Sequence, residues 1–354
     1  MIYYVCRARH AYTVGVLLSY FGPALDDTVR IIPYERLDLV DGQAGDAFIW
    51  TDLDRLSLQE AEDAAAVRQR ILAEQPGALQ LNHPVDSLRR YGLLRHLAAD
   101  GMNGFNVYRF SEVTPDISFP AFVRLESGAS RHTPILLNDW GELEAAMKRQ
   151  IARGGDESDL LVVEFGAKPG PDGRFRKYGI FRIGDEVFPQ DCVVSDDWYI
   201  KYASRTGAAD TKRENEDYLR TNPHAKEALA IFEKARIEFG RMDYGIVDGR
   251  LQVYEINTNP TFITQPASRY DDFDRAGRAR HYQEAFVRLH TVAREKAGLE
   301  PSAVSATSPD IDRVHQEVLE QVRRRVDRRH RRRLARGFIA SLGARAGGLL
   351  RGKR

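Results

Sequence analysis

Arg241-Met-Asp-Tyr-Gly-Ile-Val-Asp-Gly-Arg-Leu-Gln-Val-Tyr-Glu-Ile-Asn-Thr-Asn-Pro260 is the stretch on which the reading of this chain turns. Two extended runs, Asp243 to Val247 and Leu251 to Ile256, flank Asp248-Gly249, a dipeptide that favours the left-handed backbone of a tight hairpin turn. A hairpin brings its open ends together. Asp243, near the start of the first strand, and Glu255, near the end of the second, are therefore expected side by side, with Asn257 just beyond. Two carboxylates and an amide oxygen form a hard, all-oxygen set of the kind that holds Mg²⁺ on nucleotide phosphates.

Asp-Gly between two strands is by itself an ordinary hairpin whose polar residues face water. The longer pattern, Arg-x-Asp, a hairpin and Glu-x-Asn-x-x-Pro, resembles the metal-binding end of the ATP-grasp fold, as found in D-alanine–D-alanine ligases and glutathione synthetases. The resemblance implies an α/β chain with a nucleotide site between two α+β subdomains. It implies ATP and Mg²⁺ as cofactors and Asp243, Glu255 and Asn257 as metal ligands. Arg241 matches the arginine that stabilises the oxyanion of a tetrahedral intermediate. The activity implied is an ATP-dependent carboxylate–amine (or carboxylate–thiol) ligase, acting through an acyl phosphate and releasing ADP and phosphate. A small-molecule kinase of the same fold, and a non-catalytic binding protein acting through its basic tail, are the alternatives.

Composition fits such a protein. The chain has 354 residues, enough for two or three packed units, with 43% hydrophobic residues and a formal charge of +1. That excludes a disordered or globally basic chain. Cys6 and Cys192 have no companion at metal-ligand spacing and read as buried strand residues. No window approaches the apolar length of a membrane span and the N-terminus has no signal-peptide pattern, so a cytoplasmic protein is expected.

Outward from the hairpin, residues 1–80 alternate between short strands and helices, including a long helix over Leu58–Glu74 stopped at Pro76-Gly77, and predict a small α/β domain. In the family such a domain often contributes to the acceptor or acyl-substrate site. Arg7, Arg9, Asp52 and Asp54 are candidates for that site, with surface residues as the plainer reading. Residues 81–300 make up the region that the resemblance covers. Leu88, Tyr91, Leu94 and Leu97 lie at helical spacing, with Asp86 or Ser87 as cap, and Arg89 or Arg90 takes the place of the family's phosphate-reaching lysine. Phe119 to Ser130 reads as a strand, a basic residue and a Gly/Ser loop, with Arg124 where the family has lysine. Arginine still suits a phosphate, which it grips bidentately. Leu160–Glu164 resembles the hinge strand beside the adenine, with Glu164 as its carboxylate. A second hairpin around Gly184-Asp185 offers Lys177 or Arg182 to the phosphates, and Lys201 is expected to end a further strand as a γ-phosphate ligand. Ala203 to His224 shows no periodicity and reads as a lid or a surface excursion, and Ala225–Gly240 as an amphipathic helix.

Residues 301–354 read as a separate linker and Arg-rich tail, helical from Val314 to Leu334, solvated or else bound to an anionic partner such as RNA or a membrane surface. On that reading truncation at Pro301 leaves ATP chemistry intact. Substrates are expected to be a small-molecule or peptide carboxylate and an amine acceptor.

Overall fold

The computed structural model describes residues 1–128, 134–200, 208–263, 275–301 and 306–351. The N-terminal unit is built from β1 (Ile2–Cys6), α1 (Tyr12–Phe21), β2 (Val29–Pro33), β3 (Ala47–Trp50), α2 (Leu58–Glu74) and β4 (Leu79–Leu81). Its strands form a parallel sheet in the order β2-β1-β3-β4. A parallel sheet buries both faces, and so the central strands β1 and β3 are apolar throughout instead of alternating, while the edge strands β2 and β4 carry Arg30 and Gln80. Ile2, Tyr4 and Cys6 face α1, while Tyr3 and Val5 face the Ala61, Ala64 and Ile71 side of α2. Helix α2 starts at Ser57, whose hydroxyl accepts from the Glu60 N–H while Glu60 accepts from the Ser57 N–H, a reciprocal cap.

The next units are α3 (Arg90–Ala99), β5 (Val107–Arg109), β6 (Ala121–Leu125), α4 (Trp140–Ala152) and β7 (Leu160–Glu164), with the antiparallel sheet β5-β7-β6 backed by α4. Then come β8 (Phe175–Ile183), β9 (Glu186–Ser195), α5 (Ala208–Thr221), α6 (Ala225–Ala235), β10 (Phe239–Val247) and β11 (Arg250–Asn257). These strands form an antiparallel sheet in the order β11-β10-β8-β9. One face of it, with Ile180, Met242, Tyr244, Val253 and Ile256, packs on α3 and α6. The opposite face carries the polar residues discussed below, because the strand period of two sends alternate side chains to opposite sides.

Several expectations shift in register. The cap of α3 is not Asp86 or Ser87: the helix starts at Arg90, and the Ser87 hydroxyl instead donates to the Arg236 carbonyl at 2.5 Å. Helix α6 stops at Ala235 because Arg236 takes a left-handed conformation, and Phe239, expected on the helix, is the first residue of β10. Within the segment read as a lid or a surface excursion, Ala208–Thr221 is helix, packed on β9 through Tyr218 and through Asn215, whose side chain accepts from the Cys192 N–H at 2.7 Å. Asp197 to Ile200 is not a strand, since β9 ends at Ser195.

Helices α7 (Arg275–Lys296) and α8 (Pro309–Arg351) complete the chain. Tyr282, Phe286 and Leu289 of α7 join the core shared by β1, β8 and β10. The C-terminal region is not the separate tail that its arginines suggested. Ile311, Val314, Val318, Leu319, Val322 and Val326 of α8 are buried on the N-terminal unit. Gly15 makes the approach possible, because a Cβ there would stand 2.8 Å from Val322 Cγ2. Along the edge of the sheet, the Ile31 N–H donates to His315 Nδ1 at 3.0 Å, so α8 satisfies a donor that β2 would otherwise leave unpaired. Among the described residues no helix is long and apolar enough to cross a membrane.

His315 gives this seam a pH dependence. Burial, followed by the nearby Arg30, pushes its imidazole down to about 4 from an ordinary 6.5. The unfolded ring binds protons first as pH falls, so stability is complete above 6.5 and is lost between 6.5 and about 4. The expected loss is at most about 3 kcal/mol over that window. His315→Asn keeps an acceptor for Ile31 and should flatten this limb in denaturant titrations at pH 7 and pH 4.5; equal slopes in the two proteins would exclude the assignment.

Candidate active site

The hairpin forms as its turn chemistry requires. Asp248 and Gly249 both take positive φ, and Asp243 pairs directly with Glu255 across β10 and β11. A bulge after Asp243 brings that strand end out of regular register. The row continues across the sheet from Asp243 to Gly179 of β8 and to Asp191 of β9. Gly179 leaves the room this row needs, since a Cβ there would lie 2.8 Å from Asp191 Oδ1.

Asp243 and Glu255 line a cavity of about 360 Å³ between the two antiparallel sheets, with α3 at one side. Glu255 is ion-paired with Arg90 and, at 3.1 Å, with Arg124. Although burial opposes its ionisation, these guanidinium groups, with Lys177 and Arg241 behind them, hold the Glu255 carboxyl far below the usual range. Asp243, nearly buried, takes a two-pronged contact from Arg241, Nε at 2.7 Å and Nη2 at 3.0 Å, and a third from Lys177 at 3.1 Å. The Asp243 charge in turn raises the Lys177 ammonium. Desolvation raises the Asp191 carboxyl, with Arg241 and Lys177 pulling it the other way. Six basic and four acidic side chains line the cavity, which favours a polyanion inside it.

These contacts resolve the open pairs. Arg90, not Arg89, enters the site: it binds the Leu125 and Glu126 carbonyls as well as Glu255, whereas Arg89 caps the Leu56 carbonyl. Lys177, not Arg182, faces the carboxylates, since Arg182 is buried on the Gly184 and Ile237 carbonyls. Arg124, read as following the strand, is the fourth residue of β6 and ion-pairs with Glu255. Glu164 lines the cavity, but its carboxylate is engaged by the N–H groups of Asn106 and Ser118 and the Tyr108 hydroxyl, so it braces the small sheet instead of standing free. Asn257 lies at the cavity edge, where its side-chain oxygen accepts from the Asn259 N–H at 2.9 Å. Lys201 lies outside the described residues, as do His132 and the end of the Gly/Ser loop. The far end of the cavity is aromatic: Trp198 packs 5.3 Å from both Phe122 and Phe165.

Sequence reasoning missed the network joining this site to the N-terminal unit. Asp52, taken for a surface residue, is fully buried and accepts from the Arg7 N–H, Arg55, His10 Nδ1 and Asn259 Nδ2. Asn259 in turn accepts from Tyr4 and Thr13, and the Thr258 hydroxyl accepts from the Leu53 N–H. The signal available was the position of Thr258 and Asn259 inside the quoted stretch, directly after the carboxylate strand.

The donor set can be tested against a divalent cation. Among the described residues no three His, Cys, Asp or Glu side chains are grouped so as to enclose a metal ion. Asp243, Glu255 and Asn257 would together offer two carboxylates and an amide oxygen, only part of a shell. That fits a hard cation whose remaining positions are filled by phosphate oxygens and water, the usual arrangement for Mg²⁺.

No family model matches this chain, and no curated protein matches it. Solved structures do. A D-alanine–D-alanine ligase from Bacillus anthracis aligns over 83% of this chain and 99% of its own, with a TM-score of 0.50 and 15% identity. A RimK domain ATP-grasp protein from Sphaerobacter thermophilus aligns over 73% of this chain and 92% of its own, with a TM-score of 0.42 and 13% identity. An L-amino acid ligase from Bacillus licheniformis aligns over 73% of this chain and 66% of its own, with a TM-score of 0.34 and 13% identity.

Proposed function

Since the chain has the ATP-grasp fold, we propose that it is an ATP-dependent ligase that joins a carboxylate to an amine or thiol. The observation that carries this reading is the Asp243–Glu255 pair, adjacent across two strands and surrounded by Arg90, Arg124, Lys177 and Arg241. The D-alanine–D-alanine ligase whose fold it shares supports the reaction class.

ATP would lie with its base among Phe122, Phe165 and Trp198 and its phosphates toward the cations. Asp243, Glu255 and Asn257 would hold Mg²⁺, which when bound neutralises charge on the β- and γ-phosphates. Arg90 and Arg124 are placed to exchange Glu255 for phosphate oxygens, a bidentate match of guanidinium to anion. The substrate carboxylate attacks the γ-phosphorus, forming an acyl phosphate as the bond to ADP breaks. The amine then adds to the acyl carbon, and phosphate leaves. Arg241, held rigid by Asp243 and by Gln190 at 3.2 Å, would face the tetrahedral oxyanion. Glu164 acts through the sheet, fixing β7 against β5.

Calorimetric titration of ATP with and without Mg²⁺, followed by product analysis with candidate acids and amines, tests this. Magnesium-dependent binding and equal release of ADP and free phosphate are expected. A stable phosphorylated product without free phosphate would make the protein a kinase, and no nucleotide binding by folded protein would make it a non-catalytic relative.

A further inference from the structure

A second cavity of about 550 Å³ opens beside the first and shares Arg55, Ser127, Gly128 and Asn257 with it. Its other wall belongs to the N-terminal unit and is formed by Arg9, His10, Tyr12 and Thr13. Among the described residues that line it, the ionisable ones besides Tyr12 are Arg9, Arg55 and His10, with no carboxylate. The acid that offsets them, Asp52, is fully buried behind this wall and already engaged: it holds Arg55 at 2.9 Å and His10 Nδ1 at 3.0 Å. One buried charge therefore serves two groups on the wall, and Arg9 is left over. The Arg9 side chain is exposed and has no ion-pair partner among the described residues.

Helix α8 adds to the same sign of charge. Arg325 lies 4.2 Å from the centre of the Tyr12 ring and donates to the Arg9 carbonyl at 3.2 Å, and Arg329 lies 5.7 Å from the same ring. The mouth of the cavity thus sits in a positive field made by two separate elements of the fold. A substrate with an ammonium group at this end would meet arginines and no acid. A substrate with an anionic group would gain charge-assisted hydrogen bonds.

Resting on the ligase reading, we propose that the acid substrate carries a second anionic group, a carboxylate or a phosphate, which Arg9 and Arg55 hold while its reacting carboxylate points past Asn257 into the first cavity. The chain thereby selects dianionic acids over simple or amino-bearing ones. Arg55 is a positioning element shared by both cavities, and Arg9 is the specificity residue.

The test uses the full chain saturated with Mg²⁺ and a non-hydrolysable ATP analogue, so that the first cavity is filled. Succinate, glutarate, adipate, 3-phosphoglycerate, butyrate and γ-aminobutyrate are then titrated calorimetrically. At least one dianion should bind about tenfold or more tighter than butyrate, the gain expected for a hydrogen-bonded charge pair, with γ-aminobutyrate weakest. The dicarboxylates and the phosphorylated acid separate the two kinds of anion. Arg9→Ala, an exposed substitution, should abolish the preference while leaving analogue binding unchanged. The inference is overturned if butyrate or γ-aminobutyrate binds as well as every dianion, if Arg9→Ala keeps the preference, or if no dianion binds to analogue-loaded protein. Protein that takes no nucleotide analogue fails the ligase reading at the first step, before any acid is added, and this inference falls with it.

Discussion

Glu255→Ala is expected to abolish magnesium-dependent ATP binding and to lower the melting temperature of the whole protein at the same time. The two effects have one origin. Glu255 pairs with both Arg90 and Arg124, and Arg90 is only 6% exposed. Removing the carboxylate leaves two guanidinium groups facing each other in a desolvated cavity, a change that costs about 3–5 kcal/mol when a buried pair is broken from one side. Glu255→Gln separates stability from function. It keeps the volume and one acceptor for the arginines, so its melting temperature should fall less, yet it loses the charge that on the proposed reading would hold a hard cation. ADP release should drop about a hundredfold or more in Glu255→Gln, as for other changes at the coordination of a metal. Glu255→Gln that binds MgATP with wild-type affinity would remove Glu255 from the metal site and leave it as a strut between α3 and β6.

Short-range chemistry was legible in the sequence. Asp248-Gly249 dictates the turn, and the turn sets the register as far as Tyr244; a bulge between Asp243 and Tyr244, which no local pattern marks, then shifts it by one residue and places Asp243 beside Glu255. The apolar run Leu160–Glu164 and the capped helix Leu58–Glu74 have the bounds their patterns give. What escaped depends on contacts remote in sequence. Nothing near Arg90 says that it will meet Glu255, 165 positions away, and Asp52 carries no mark of the four donors that converge on it. Glu164 was placed on the right strand, but its carboxylate is claimed by donors on β5 and on the loop before β6, and no local pattern shows that. Helix α5 was missed because its fourteen mostly polar residues hide an amphipathic stripe whose anchors, Asn215 and Tyr218, are themselves polar residues. In α8 the dense arginines masked a periodicity that was present: Ile311, Val314, Val318, Val322 and Val326 recur at three- and four-residue steps, one face of a helix.

That buried stripe sets the largest stability effect. A chain ending at Pro301 loses six apolar side chains, Ile311, Val314, Val318, Leu319, Val322 and Val326, all buried on the N-terminal unit. At about 1.5–3 kcal/mol for each buried aliphatic side chain, the lost burial is about 9–18 kcal/mol, an upper figure because the unfolded chain already buries part of this surface. A whole domain is stable by only about 5–15 kcal/mol. The truncated protein should therefore be insoluble or lack a cooperative melting transition, which reverses the expectation that the C-terminal region is dispensable. The loss is not generic. With α8 go the His315 acceptor that closes the edge of β2 and the packing that holds α1, the helix carrying Tyr12 and Thr13 of the second cavity. Truncation after Arg332 keeps every one of these contacts and should melt within a few degrees of the full chain. Gly15→Ile offers the same test at full length, since its side chain would collide with Val322 and push α8 off α1. Circular-dichroism melts of the three proteins decide the matter: a Pro301 truncation that unfolds as sharply and as late as the full chain would show that α8 rests on the N-terminal unit without stabilising it.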